Sequence, residues 1–211
     1  MAHEASNIAP WAEIVPDAPY PMSVEEFEQW PEEPGWRYEL VHGRVVRMPP
    51  PGGRHGVIQG NIVFALKLFV LPRGLGEVVD GSEFVLPGSG VSEQGKLGPD
   101  VAFVAAGREP ASGTQADEDN WAIARDLAVE IASPKANQYR PQMTEKAKEY
   151  LRAAVRLVWI FYPQWNEVDA WWQGEQGPES QTLQASQQLD GRDVLPGFTH
   201  LIGPLFLRSG R

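Results

Sequence analysis

Two apolar runs decide the fold: Pro99-Asp100-Val101-Ala102-Phe103-Val104 and Leu127-Ala128-Val129-Glu130-Ile131-Ala132-Ser133-Pro134. After them come Glu145-Lys146-Ala147-Lys148-Glu149-Tyr150-Leu151 and Leu157-Val158-Trp159-Ile160-Phe161. The order reads as strand, strand, helix, strand. The three strands are apolar throughout, as central strands are. In the helix Met143, Ala147, Tyr150, Leu151 and Ala154 form an apolar stripe. Asp100 and Glu130 break the apolar runs, and a buried carboxylate needs a cation, hydrogen bonds or a raised pKa. In a pleated strand Glu130 shares its face with Ala128 and Ala132, while Val129 and Ile131 point the other way. The small neighbours leave room beside the carboxylate.

Outward from this centre, Trp36 to Met48 reads as a hairpin turning at His42-Gly43. Ile58, Ile62, Leu66 and Phe69 recur at helical spacing, so a helix is predicted from His55 to about Leu71, ended by Pro72 and Gly74. Ser23 with Glu26 three residues on is a capping-box signature for a short helix to about Trp30. Residues 1–22, with four prolines, read as an extended or disordered arm ahead of one domain over 23–211. Gly76 to Leu86 reads as one strand. Thr144 is the expected cap of the helix through Ala154. Glu167 to Gln173 pairs as an edge hairpin, and Gln181 to Leu189 suggests a further edge strand. Gly90-Val91-Ser92-Glu93-Gln94-Gly95-Lys96 resembles a phosphate loop, but Leu97 replaces the magnesium-binding hydroxyl and a strand follows where a helix is required. A glycine-rich hairpin connection is the expectation there. Trp159, Trp171 and Trp172 read as core or edge packing.

The 211 residues hold no cysteine, which excludes disulfides and thiolate metal sites. The four histidines lack metal-ligand spacing, so zinc is not expected. No basic head precedes an apolar run near the start, and Ile62 to Leu71 is too short to span a bilayer. A cytoplasmic protein with no membrane partner is the expectation. The net charge of −10 argues against simple nucleic-acid binding. Its distribution matters more. Residues 1–34 hold eight acids and no Lys or Arg, a charge of −8, whereas 35–55 carry +3 and 135–156 carry +4. Two basic segments thus flank the candidate acids.

The ordered set Tyr38-Glu39-Leu40-Val41-His42-Gly43, His55, Pro99-Asp100, Val129 to Pro134, Lys146 with Tyr150, Trp159 with Pro163, and Leu195-Pro196-Gly197-Phe198 resembles the PD-(D/E)XK nuclease superfamily. More narrowly it resembles the Uma-two family of restriction-endonuclease-like proteins. The resemblance implies an α/β fold of restriction-endonuclease-like type, with a mixed sheet flanked by helices. It implies a Mg²⁺-dependent endonuclease acting on DNA, with Mn²⁺ as a substitute ion, and leaves a homodimer open. Magnesium takes oxygen ligands and keeps several waters, so Asp100 and Glu130 are the natural pair, with the Ile131 carbonyl beside them. The superfamily's lysine two residues after the second acid is Ala132 here. The family register places that role at Lys146. Periodicity does not choose between Lys146 and Lys148, which flank the stripe symmetrically and outside the core.

Glu39 is either a third acid of the site or a surface acid paired with Arg37 or Arg44. His55 is either a phosphate or acid/base group or a structural histidine at a helix start. His55, Lys148 and Arg140 are the candidate substrate contacts. The competing functional classes are a non-catalytic binding or scaffold module that keeps the fold, and an unrelated phosphoesterase on a similar sheet.

Overall fold

The carboxylate-bearing strands lie side by side at the centre of the larger of two main sheets. The computed structural model describes residues 11–86, 95–114, 121, 123–133 and 140–208. In chain order the elements are β1 (Glu13–Ile14), α1 (Val24–Glu28), β2 (Arg37–Val41), β3 (Arg44–Met48), α2 (Gly53–Val70), β4 (Gly76–Asp80), β5 (Phe84–Leu86) and β6 (Gly95–Leu97). They continue with β7 (Val101–Ala105), β8 (Leu127–Ile131), α3 (Arg140–Arg152), β9 (Leu157–Tyr162), β10 (Glu167–Gly174), β11 (Gly177–Gln184), β12 (Gln188–Asp190), β13 (Thr199–Leu201) and α4 (Ile202–Leu205). The larger sheet has the order β11-β10-β9-β8-β7-β4, and a second has β1-β3-β2-β6-β5. Strands β12 and β13 pair separately. Among the described residues only β8 and β9 pair in parallel, and α3 lies in the crossover between them, as a parallel pair requires.

The alternation expected around Glu130 sorts the layers. Val129, Ile131 and Trp159 face a core completed by Ile58, Ile62 and Leu66 of α2. Ala128, Ala132, Val158 and Ile160 face the opposite side, against Met143, Ala147 and Tyr150 of α3 and Val41, Phe84 and Leu97 of the second sheet. Glu130 therefore looks into the layer between the larger sheet, α3 and β2. The tryptophans pack as expected: Trp159 stacks on Phe198 with ring centres 5.8 Å apart, and Arg192 covers Trp172.

Several expectations are corrected. Gly76 to Leu86 is two strands in two sheets, because Gly81 turns at φ 61° and donates its N–H to the Asp100 carbonyl at 3.2 Å. Lys96, expected in a loop, lies in β6 opposite Leu40, buried, with its Nζ 3.1 Å from Glu28. Residues 87–94 of that loop fall outside the described residues. Helix α3 starts at Arg140, four residues before Thr144. Pro141 then sits in the first turn, where a missing N–H costs nothing. The edge expected over Gln181 to Leu189 divides into β11 and β12. Helix α2 with its following turn is 21 residues of mean hydropathy 1.3, long and apolar enough by composition to cross a membrane; its inner row packs on the sheet. From Trp11 the chain forms a two-residue strand, β1, which pairs Glu13 with Arg47, and turns again at Pro16 and Asp17. The short helix carries the expected capping box: Ser23 Oγ accepts from the Glu26 N–H, and the Glu26 carboxylate accepts from the Ser23 N–H.

Candidate active site

The sequence places charged side chains on or just before four elements, and the fold turns them to a common point. On β2, Arg37 and Glu39 share a face two residues apart. Asp100 precedes β7, Glu130 is in β8, and Lys146 lies one turn before Tyr150 on α3. All three carboxylates and Lys146 are buried, the lysine to 3% exposure. This settles the Glu39 alternatives against a surface acid. It also corrects the expectation that Lys146 lies outside the core.

Lys146 Nζ lies 3.0 Å from Glu39 Oε1 and 3.0 Å from Glu130 Oε1. Tyr150 donates its hydroxyl to Glu130 Oε1 at 2.5 Å. Asp100 Oδ2 accepts from the Ile131 N–H at 2.8 Å. Asp100 Oδ1 faces His55 Nε2 at 3.0 Å and Arg37 Nη1 at 3.3 Å. Gln59 on α2 donates to the Asp100 carbonyl at 2.8 Å, so α2 fixes both His55 and the backbone carrying the acid. Glu39 is held in turn by the Gly98 N–H at 3.4 Å and by the Trp11 indole N–H at 3.2 Å.

These contacts separate the acids electrostatically. Burial pushes the Glu130 carboxyl up to about 7, aided by Asp100 and Glu39 and opposed by Lys146 and Tyr150. Burial works in the same direction on Asp100, but His55, the Ile131 N–H and Lys146 outweigh it and hold Asp100 below the usual range. Burial would lower Lys146; Glu130 and Glu39 more than reverse that, so it stays an ammonium. Tyr150 is held well above its ordinary value by burial and the adjacent carboxylates and remains a hydrogen-bond donor.

The structure thus brings together Glu39, Asp100, Glu130, Lys146, Ile131 and His55. Lys148 instead pairs with Glu145 at 2.7 Å. Arg140 pairs with Glu167 at 2.8 Å and lies over the Tyr162 ring. Neither partner belongs to the cluster. Arg37 and Gln59 are participants that the sequence reading did not single out for the site. Arg37 carried one signal, its position two residues from Glu39 on the same strand face.

The donor set suits a hard divalent ion in its chemistry, since Glu39, Asp100 and Glu130 offer carboxylate oxygens, with the His55 ring beside them. It is not preassembled around one: among the described residues no group of three His, Asp or Glu side chains is spaced to hold a metal ion. Glu39 and Glu130 are both turned to Lys146 instead.

A larger mixed sheet between helices, with acids and a lysine gathered at its centre, defines an α/β protein of restriction-endonuclease-like type. The fold matches the crystal structure of a putative nuclease belonging to DUF820 from Anabaena variabilis ATCC 29413, with a TM-score of 0.73 and 20% identity. The match covers 88% of this chain and 98% of that one. The chain belongs to the Uma2 family, described as putative restriction endonuclease, whose model matches residues 24–205. No curated protein matches it.

Proposed function

We propose that this chain is a divalent-metal-dependent endonuclease that hydrolyses DNA phosphodiester bonds. The observation that carries the reading is the burial of Glu39, Asp100 and Glu130 around the single ammonium of Lys146. Desolvating three carboxylates is costly and adds nothing to packing that apolar residues would not give. Asp100, Glu130 and the Ile131 carbonyl are the groups that would hold Mg²⁺ or Mn²⁺. A bound ion would supply an acidified water and neutralise charge on the phosphate.

The chain's own groups take the remaining roles. Asp100 stays ionised and is oriented by the Ile131 N–H. Glu130 titrates near neutrality without an ion; its Oε1 accepts from Tyr150 and Lys146, so its Oε2 is the oxygen that can hold a proton and release it when an ion binds. Lys146 keeps its proton and offers positive charge to a pentavalent phosphate rather than acting as a base. Arg37, about one-third exposed, links Asp100 to the open side and can meet a phosphate oxygen.

The non-catalytic reading has a specific observation in its favour: Lys146 already satisfies both Glu39 and Glu130. Nicking of supercoiled plasmid with Mg²⁺ or Mn²⁺, wild type beside Glu130→Ala, separates the two. Metal-dependent nicking by wild type alone is expected. Equal nicking by both proteins, or none by wild type with either ion, would overturn the nuclease reading.

A further inference from the structure

Beside the cluster lies a cavity of about 250 Å³, lined by Glu32, Trp36, Arg37, Glu39, Glu83 and Gly98 among others. Arg37 and Glu39 line the cavity and also belong to the cluster, so the two sites adjoin. Gly98 shapes the wall. A Cβ there would lie 3.2 Å from Glu83 Cγ and 3.8 Å from Arg37 Nη2, so the missing side chain lets these two groups approach.

Charge decides what can enter. Three carboxylates line the cavity, and its one guanidinium is already engaged by Asp100 and the Gly98 carbonyl. Such a lining repels a phosphate and accepts N–H donors. Trp36 adds an indole to the lining; Arg47 covers one face of it at 4.2 Å, which leaves the other face for a ring. Glu83 is partly stripped of water, and burial holds its carboxyl above the usual range against the pull of Lys96, 3.3 Å away. A carboxyl in that state gains from a new N–H partner.

We propose that this cavity receives an unstacked nucleobase with an N–H donor edge, guanine above all, from the nucleotide whose phosphate sits at the cluster; the inference rests on the nuclease reading. Guanine presents N1–H and N2–H₂ side by side, a donor pair that one carboxylate can take. Thymine presents a single N–H and no exocyclic amine. Enzymes that read an extruded base do so through this edge, with stacking on an aromatic wall.

The test is fluorescence anisotropy of the full-length protein in EDTA. The probes are a single-stranded thymine octamer with one central guanine and the all-thymine octamer. One good bidentate contact implies on the order of tenfold preference for guanine. Glu83→Gln and Glu32→Gln should each shrink that preference and leave all-thymine binding nearly unchanged. Glu32 is exposed, so its substitution tests the cavity even where Glu83→Gln disturbs the fold. Equal affinity for both octamers, no binding of either, or a preference intact in both variants would overturn the proposal. Cleavage enters neither measurement. A protein that shows the preference yet never cuts fails the nuclease reading alone, and one that cuts without preference fails only the base site.

Discussion

Lys146 holds two buried carboxylates with one ammonium, so its removal exposes both to an uncompensated interior. Breaking a buried pair from one side costs about 3–5 kcal/mol, and Lys146→Ala is expected to destabilise by that order as well as abolish cleavage. Lys148→Ala, which loses only a pair with Glu145 at the surface, should be mild in both. Urea unfolding of the two variants beside wild type checks this, and a Lys146→Ala protein as stable as wild type would refute it. Glu130 adds a pH signature. Its folded pKa of about 7 lies above the ordinary 4.5. The stability gained by holding its proton is full below about 4.5 and is lost as pH rises through 7. Glu130→Gln, neutral throughout, should therefore gain on wild type between pH 5 and 8. A stability difference that stays flat over that range would contradict the pKa. The sequence made Glu130 and Asp100 legible because a charge inside an apolar run has no cheap explanation. It could not choose between Lys146 and Lys148, which flank one stripe at similar angles. What lies opposite each of them, β8 and β2 or solvent, is a tertiary fact. Arg37 was hidden for a related reason: in a hairpin rich in charge it looks like any surface residue.

At the scale of elements, the break between β4 and β5 lets one stretch serve two sheets and delivers Glu83 to the cavity. Arg125 braces it. Its side chain is buried at 0% exposure, and its guanidinium donates to Ser82 Oγ and the Glu83 carbonyl at 2.9 Å each, and to the Ile123 and Trp121 carbonyls at 3.3 and 3.4 Å. Burial draws its pKa down to about 10, a measure of how little water reaches it. Arg125→Met keeps much of the volume and removes four part-buried hydrogen bonds. At about 1 kcal/mol net for each, the loss should reach about 3 kcal/mol, a fall in Tm of roughly 10 °C for a domain of this size. A calorimetric shift of a degree or two would show that the acceptors find water instead. The split of the strand was not legible because Gly81 is the only local sign of it, and an isolated glycine in a strand pattern is equally compatible with a bulge. The capping box at Ser23 was legible, since both of its hydrogen bonds are local to four residues.

Across the whole molecule, two acids from the described part of residues 1–34 meet the basic segment that follows it. Glu13 and Glu33 reach Arg47 at 3.0 and 3.7 Å. Trp11 donates to Glu39, and its ring lies 5.8 Å from Lys146 Nζ. The first described residues thus lie at the candidate site, held by a strand of two residues, a few polar contacts and the packing of Trp11, Ala12 and Ile14 on the core layer beside α3. Val15 and Ala18 pack on the cluster formed by Phe27 and Leu40, and Met22 is buried within it at 2% exposure. A truncation that respects this removes residues 1–15, keeping Met22 and the Ser23 cap while deleting Glu4, Glu13 and Trp11. DNA phosphates approaching Arg47 or Lys146 compete with the acids and the indole now there. Exposed ion pairs are individually weak, and salt screens them over about 10 Å at 0.1 M. The truncated chain is therefore expected to bind duplex DNA several-fold tighter at low ionic strength, with the difference shrinking as salt rises. Full-length Trp11→Phe, which keeps the charge and loses the indole N–H, should capture only the salt-independent part. Equal affinity of the truncated and intact chains at low salt would mean that the arm and DNA use different surfaces, and that the acid of the arm has no part in controlling access to the cluster.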